Sequence, residues 1–299
     1  TVTISDSDFT NNDDANGTDG LALRTNNTAG MSANVTSNSF DQVEESAVSF
    51  VADGSGAHDV DVIGNTVTNQ GGADNFPLTA AVELIGADLV PVTFDIQGNS
   101  LTGLPGDGIL VQGDANMTGR IGGDAAYSAV TPGAGQGNQI TLDDVSGTGG
   151  TLTGDGIRLD LDGVFGDSPF VAASPTWTVL VKNNAVTAAV ATPGDDGIQV
   201  LNRDHTGTLN LTITNNTLTN FASEGVRFFA GERNVPTPLG DTTSLVAITN
   251  NVFGNTSSGI NELDMVLITT DQAIACFDVN GNTKALPFEI ELREQDTST

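Results

Sequence analysis

Three sets of side chains in this sequence have the composition of chemical sites. The first is an acid placed directly before glycine, at Asp19-Gly20, Asp107-Gly108, Asp155-Gly156, Asp196-Gly197 and Glu224-Gly225. At Asp195-Asp196 the acid is doubled, and paired carboxylates can act as general acid and base in glycoside chemistry. The second set is Asp160, Asp162 and Asp167, whose oxygens are of the kind that holds Ca2+, although the spacing is not a complete calcium loop. The third combines Arg158 and Arg227 with Tyr127, Phe165, Phe170 and Trp177, side chains suited to a glycan or protein partner. Other reactive types are sparse. His58 and His205 are the only histidines, too far apart in the repeat to share a site. Asn202-Arg203-Asp204-His205 is a polar loop that could supply a general base. Cys276 stands alone and reads as an inert residue near the end of the fold. No serine occupies a Gly-x-Ser-x-Gly elbow.

The elements that position these residues follow from an internal repeat. One motif is an apolar residue, two small or polar residues, Asn or a substitute, one residue, then another apolar. It occurs at Ile4-Ser7-Phe9, Val35-Asn38-Phe40, Val62-Asn65-Val67, Ile96-Asn99-Leu101 and Ile140-Asp143-Val145. It continues at Val181-Asn184-Val186, Ile213-Asn216-Leu218, Ile248-Asn251-Phe253 and, in degenerate form, Val279-Asn282. The spacing runs from 27 residues (Asn38 to Asn65) to 44 (Asn99 to Asp143). The acid-Gly motif interleaves with it and leads into an apolar-x-apolar strand. Each period therefore holds two firm strands and one short one. One coil cannot bury its apolar side alone, whereas stacked coils bury a continuous core. The expected fold is all-β: a single right-handed parallel β-helix of about nine coils over residues 1–299. Asn is expected at the tight corners, where it tolerates left-handed backbone and bonds its neighbours along the rod.

In this frame the acid before glycine is a corner residue, because a catalyst need not recur once per coil. Arg158, Gln199 and Arg227 hold the same place in three successive coils and should form an outward column. Asp155, Asp196 and Glu224 should run beside it as a solvated ladder of alternating charge. The stretches 112–139, 160–176 and 230–244 all follow the glycine-led strand and precede the Leu-rich strand. They are expected to project as long loops from one edge of the rod, with the four aromatics forming a binding ledge.

Charge narrows the partners. The chain has 38 acids against 9 bases, a formal net of −29. Phosphate binding needs clustered Lys and Arg, so nucleic acid is excluded as a partner. Such acidity suits water rich in salt or divalent cations. Apolar residues make up 37% of the chain, enough for a narrow solenoid core. Thr1-Val2-Thr3-Ile4 is strand-like rather than a signal peptide, and no transmembrane run occurs. The chain reads as a processed protein or a segment of a longer rod.

Asn215-Asn216-Thr217-Leu218-Thr219-Asn220, followed by Glu224-Gly225-Val226, resembles the repeat of pectin-lyase-like right-handed β-helices. The likeness covers nearly the whole chain. That superfamily mixes lyases, hydrolases, epimerases, tailspikes and noncatalytic surface proteins, so the resemblance implies fold more than function. Its polygalacturonase-like members imply Gly-His-Gly and Arg-Ile-Lys segments, and neither occurs here. Its pectate-lyase-like members imply calcium-binding acids beside a basic Arg, for which Arg158 and Arg227 are the candidates. Ala275-Cys276-Phe277-Asp278-Val279-Asn280-Gly281-Asn282-Thr283 resembles terminal coils of large bacterial surface repeat proteins. The resulting expectation is a noncatalytic, extracellular or cell-surface, bacterial β-solenoid with a structural or adhesive role, as adhesin stalk, surface layer or filament building block. Its expected partners are surface glycans, Ca2+ and further copies of itself stacked end to end. The alternative is a polysaccharide lyase or glycoside hydrolase acting on an acidic glycan.

Overall fold

The computed structural model of the chain describes residues 1–12, 19–25, 28–43, 45–68, 80–130, 133–143, 154–162, 174–188, 196–203, 206–221, 223–231, 242–254, 264–270, 273–284 and 288–295. It is a parallel β-helix of nine coils, built from three parallel sheets of nine strands each. The coil around residue 216 serves as a pattern. Thr208–Thr214 lies in the first sheet, Thr217–Thr219 in the second and Val226–Gly231 in the third. Each strand pairs with its equivalents one coil before and one coil after.

Alternation decides what each strand buries. In Thr208–Thr214, Leu209, Leu211 and Ile213 point inward while Thr208, Asn210 and Thr212 point out. Register then stacks like on like. Val35, Val62, Ile96, Ile121, Val181, Ile213 and Ile248 form one aliphatic column, each side chain paired with the next coil's. All seven are fully buried. Burying one such side chain stabilises by roughly 1.5–3 kcal/mol relative to leaving it exposed.

Asparagine makes the corner between the first and second sheets. Asn38, Asn65, Asn99, Asn138, Asn184, Asn216 and Asn251 are all buried. The Oδ1 of Asn216 accepts the backbone N–H of Asn184 at 2.9 Å and its Nδ2 at 3.0 Å. Its own Nδ2 donates to the carbonyl of Val181 at 3.0 Å and to Asn251 Oδ1 at 3.0 Å. The same geometry runs unbroken from Ser7, whose N–H donates to Asn38, to Asn282, which accepts from Asn251. The left-handed backbone falls one residue earlier than expected. Asn183, Asn215 and Asn250 have φ of 57°, 56° and 57°, and the ladder residue that follows each of them is not among those with positive φ.

Coil five differs from the sequence-based phasing. Its first-sheet strand is Asn116–Ile121, its corner is Asn138, and Ile140 already belongs to the second sheet in Gln139–Leu142. Residues 122–137 form an insertion between that strand and its corner, pinned by a bridge between Ala125 and Gln136. This also corrects the single loop edge. The extra length of 112–139 sits at the Asn corner between the first and second sheets, while 163–173 and 232–241 lie outside the described residues.

The glycine after the acid serves close approach rather than left-handed geometry. A Cβ on Gly156 would lie 2.1 Å from Val186 Cγ1 and 2.6 Å from the Gly197 carbonyl oxygen. A Cβ on Gly108 would meet Gly156 O and Ile140 Cγ2, both at 2.5 Å.

Asn216→Leu keeps the bulk but removes acceptor and donor together, leaving the Asn184 N–H and the Val181 carbonyl without their partners inside the rod. The expected loss is on the order of 3 kcal/mol. Chemical denaturation checks it; an unchanged midpoint would show that the ladder does not carry stability.

Candidate functional site

The third sheet gathers most of the residues that could do chemistry. Its glycine-led strands start from the acid position, and the register places Asp107, Asp155, Asp196, Glu224 and Asp264 along one corner. The four aspartates each reach forward to a main-chain N–H of the following coil. Asp107 Oδ1 accepts from the Asp155 N–H at 2.6 Å, Asp155 Oδ1 from the Asp196 N–H at 3.0 Å, and Asp196 Oδ1 from the Glu224 N–H at 3.0 Å. Asp264 Oδ2 accepts from the Glu289 N–H at 2.9 Å. This is a second corner ladder, with acids in place of amides.

The acid ladder is buried, which corrects the expectation of a solvated one. Asp107, Asp155, Asp196 and Asp264 are each at most 6% exposed. Burial pushes the Asp155 carboxyl up to about 8, and the nearby charges of Asp107 and Asp196 add to the effect. Burial also pushes Asp196 up to about 7, reinforced by its hydrogen bond with the Glu224 side chain. Ionising adjacent acids here is unfavourable, so Asp155 and Asp196 hold their protons.

The outward column expected beside the acids is present: Arg158 aligns with Gln199, and Gln199 with Arg227. Gln199 Nε2 donates to Asp196 Oδ2 at 3.0 Å, and Arg227 Nη1 lies 3.9 Å from the same oxygen. Two contacts were not legible in the sequence. Asp160 Oδ2 takes Arg158 Nη2 at 2.8 Å and Arg203 Nη2 at 3.1 Å. Asp264 Oδ1 pairs with Lys284 Nζ at 2.9 Å, with both side chains nearly enclosed. Asp160 and Arg203 are 43 residues apart, and only the register reveals that they meet.

The expected calcium and binding residues divide. Asp160 is 5% exposed and neutralised by two guanidinium groups, which corrects its reading as an open cation ligand. Asp167 lies outside the described residues, as does the side chain of Asp162. Among the described residues no group of three or more His, Cys, Asp or Glu is arranged to hold a metal ion. Trp177 is fully enclosed, and its indole N–H donates to the Ala115 carbonyl at 2.9 Å. It is a core residue and not part of a surface ledge. Tyr127 is half-buried in the insertion at the Asn corner. Phe165, Phe170 and His205 lie outside the described residues.

His58 points into the core. Its Nδ1 accepts the Met31 N–H at 3.3 Å, and burial holds its imidazole below the usual histidine range. Cys276 faces out from the first sheet and is exposed, while Ala275, Phe277 and Val279 pack against the core. No helix among the described residues is long and apolar enough to cross a membrane.

Comparison with protein-family models, with curated proteins and with solved structures finds no match. The solenoid architecture therefore rests on the strand pairing itself.

Asp155 carries a proton in the fold at pH values where the unfolded chain, with the ordinary aspartate value of 3.8, has lost it. Its stabilising contribution is thus complete below about pH 4 and lost as pH rises towards about 8. Asp155→Asn copies the protonated acid and keeps an acceptor for the Asp196 N–H. It should match the parent at pH 4 and below and exceed it by about 2–4 kcal/mol at pH 9. Superimposable stability curves for the two proteins from pH 5 to 9 would show that Asp155 is not held protonated.

Proposed function

We propose that the chain is a noncatalytic surface rod: an extracellular β-solenoid of bacterial type, serving as stalk, surface layer or filament unit. One observation carries this reading. The carboxylates best suited to acid–base chemistry are already engaged as backbone acceptors that tie coil to coil, at Asp107, Asp155, Asp196 and Asp264. A repeated structural role explains them without a substrate. The likeness to pectin-lyase-like repeats, and to the terminal coils of bacterial surface proteins, fits the same reading. The net charge of −29 keeps such rods apart in dilute salt and lets them approach when cations screen the repulsion.

A second reading has its own support. Asp155 and Asp196, pushed up to about 8 and about 7, sit beside Arg158, Gln199 and Arg227 on one sheet. Raised carboxyls next to arginine are what an enzyme acting on acidic glycans needs. Incubation of the full chain with polygalacturonate and alginate, with and without Ca2+, decides between them. The rod reading expects neither unsaturated products nor new reducing ends. Reproducible turnover that disappears in Asp196→Asn would establish the enzyme instead.

Pairing beyond the nine coils follows from the same reading. Among the described residues the outermost strand of each sheet pairs on one side, and core side chains there are half covered: Phe9 and Leu21 in the first coil, Phe277 and Phe288 in the last. Open edges pair with further strands. Light scattering across a NaCl and Ca2+ series should show particles growing with screening. A size that stays monomeric in every condition would remove self-stacking and leave a stalk.

A further inference from the structure

The outer face of the first sheet forms a longitudinal trough of about 1030 Å³. It crosses six successive coils, from Pro91–Gln97 to Ile274–Asn280, a run of roughly 24 Å at one coil per strand spacing. Two columns floor its centre. One is Thr118, Thr178, Asn210 and Leu245, and the other is Arg120, Leu180, Thr212 and Ala247. Charge is confined to the ends. Asp95 and Arg120 neutralise each other through two hydrogen bonds, at 2.9 and 2.8 Å. Asp278 accepts from Asn280 Nδ2 at 2.7 Å. Across the three coils between, no ionisable side chain lines the trough, in a chain that carries 38 acids.

The polar groups at the centre of the trough are free, whereas Thr93 at its end bonds the His58 carbonyl and Asp59. The side chains of Thr118, Thr178, Asn210 and Thr212 make no hydrogen bond within the described chain. Several threonines of the second sheet, by contrast, are engaged. Thr68 bonds Asp41 at 2.8 Å, Thr102 bonds the Val67 carbonyl at 3.2 Å, and Thr187 bonds Thr219 at 2.7 Å. Unengaged hydroxyl and amide groups here alternate with aliphatic surface, and Leu245 is 50% exposed.

We propose that this trough binds an uncharged, extended polysaccharide lying along the rod axis. Hydroxyl and amide side chains both donate and accept, as sugar hydroxyls do. Leu180, Leu245 and Ala247 match the apolar C–H faces of the rings. Each coil offers one equivalent position per repeat, so successive rings of an extended chain meet successive side chains. An anionic glycan is disfavoured by the field of the whole chain. An extended peptide binds by strand addition at a sheet edge, whereas the trough is a sheet face whose central strands are paired on both sides. The site goes beyond the rod function proposed above, because a stalk or filament needs no such affinity.

Isothermal titration of the full chain with cellohexaose, xylohexaose and mannohexaose, with hexagalacturonate as the anionic arm, tests this. At least one neutral hexasaccharide should saturate, and hexagalacturonate should not. Asn210→Ala and Leu245→Asp, both at the trough surface, should each weaken binding about tenfold or more, with unchanged melting temperature. Thr219→Val, on the second sheet, should leave it unaltered. Absence of saturation by every neutral hexasaccharide at millimolar concentration overturns the proposal. So does equal binding by the trough variants, preference for hexagalacturonate, or displacement of the sugar by an uncharged extended peptide. None of these outcomes bears on whether the chain turns over polyuronates, so the rod reading stands or falls separately.

Discussion

A backbone that turns a corner leaves the sheet ladder, and its N–H groups lose their strand partners while still buried. In this rod every coil solves that problem with a side chain from the next coil. Asn Oδ1 takes the orphaned N–H, and Asn Nδ2 caps a strand-end carbonyl, as at Asn216 with Asn184 and Val181. A buried amide or carbonyl without a partner costs about 1–3 kcal/mol, so the axial register is held wherever the ladder continues. The apolar columns can then be simple, because the corner has already chosen which residue stacks on which.

The acid ladder applies the same geometry at another corner with different chemistry. A carboxylate is as good an acceptor as an amide oxygen, but it brings charge into a crowded, dry position. Asp155 and Asp196 meet that constraint by staying protonated over much of the pH range. Asp160 and Asp264, on the same sheet, meet it by ion pairing with Arg158, Arg203 and Lys284. With only 9 bases in the chain, pairing cannot be the general solution. Proton retention fills the gap, and it makes this corner the part of the rod most responsive to pH.

The repeat made the fold legible, because a corner residue recurring once per coil leaves a mark in the sequence. Coil five escaped correct phasing because residues 122–137 separate the strand Asn116–Ile121 from its corner at Asn138, and Asp143 happened to mimic the motif. Trp177 was placed on the surface for lying beside a long loop. The alternation Trp177, Val179, Val181 already put it inside. The acid column and the Arg158–Gln199–Arg227 column were visible as repeats. The burial of the acids was not, because it depends on contacts between coils and not on the strand's own pattern. Asp160 with Arg203, and Asp264 with Lys284, needed the register of strands that the sequence leaves far apart.

The three faces therefore differ in chemistry although one pitch governs them all. On the second sheet Thr187 and Thr219 bond one another, and Thr68 bonds Asp41. The third sheet concentrates titratable groups under cover. Across three central coils of the first sheet, polar side chains stand open to solvent with no ionisable group lining the trough. In a chain at −29, a neutral stretch spanning several coils is not what solubility alone would produce, since each outward position there could hold an acid without disturbing the core. Outward residues on a solenoid are nearly free of folding constraints. Where such positions depart together from the charge of the rest of the surface, the cause lies in what the surface meets.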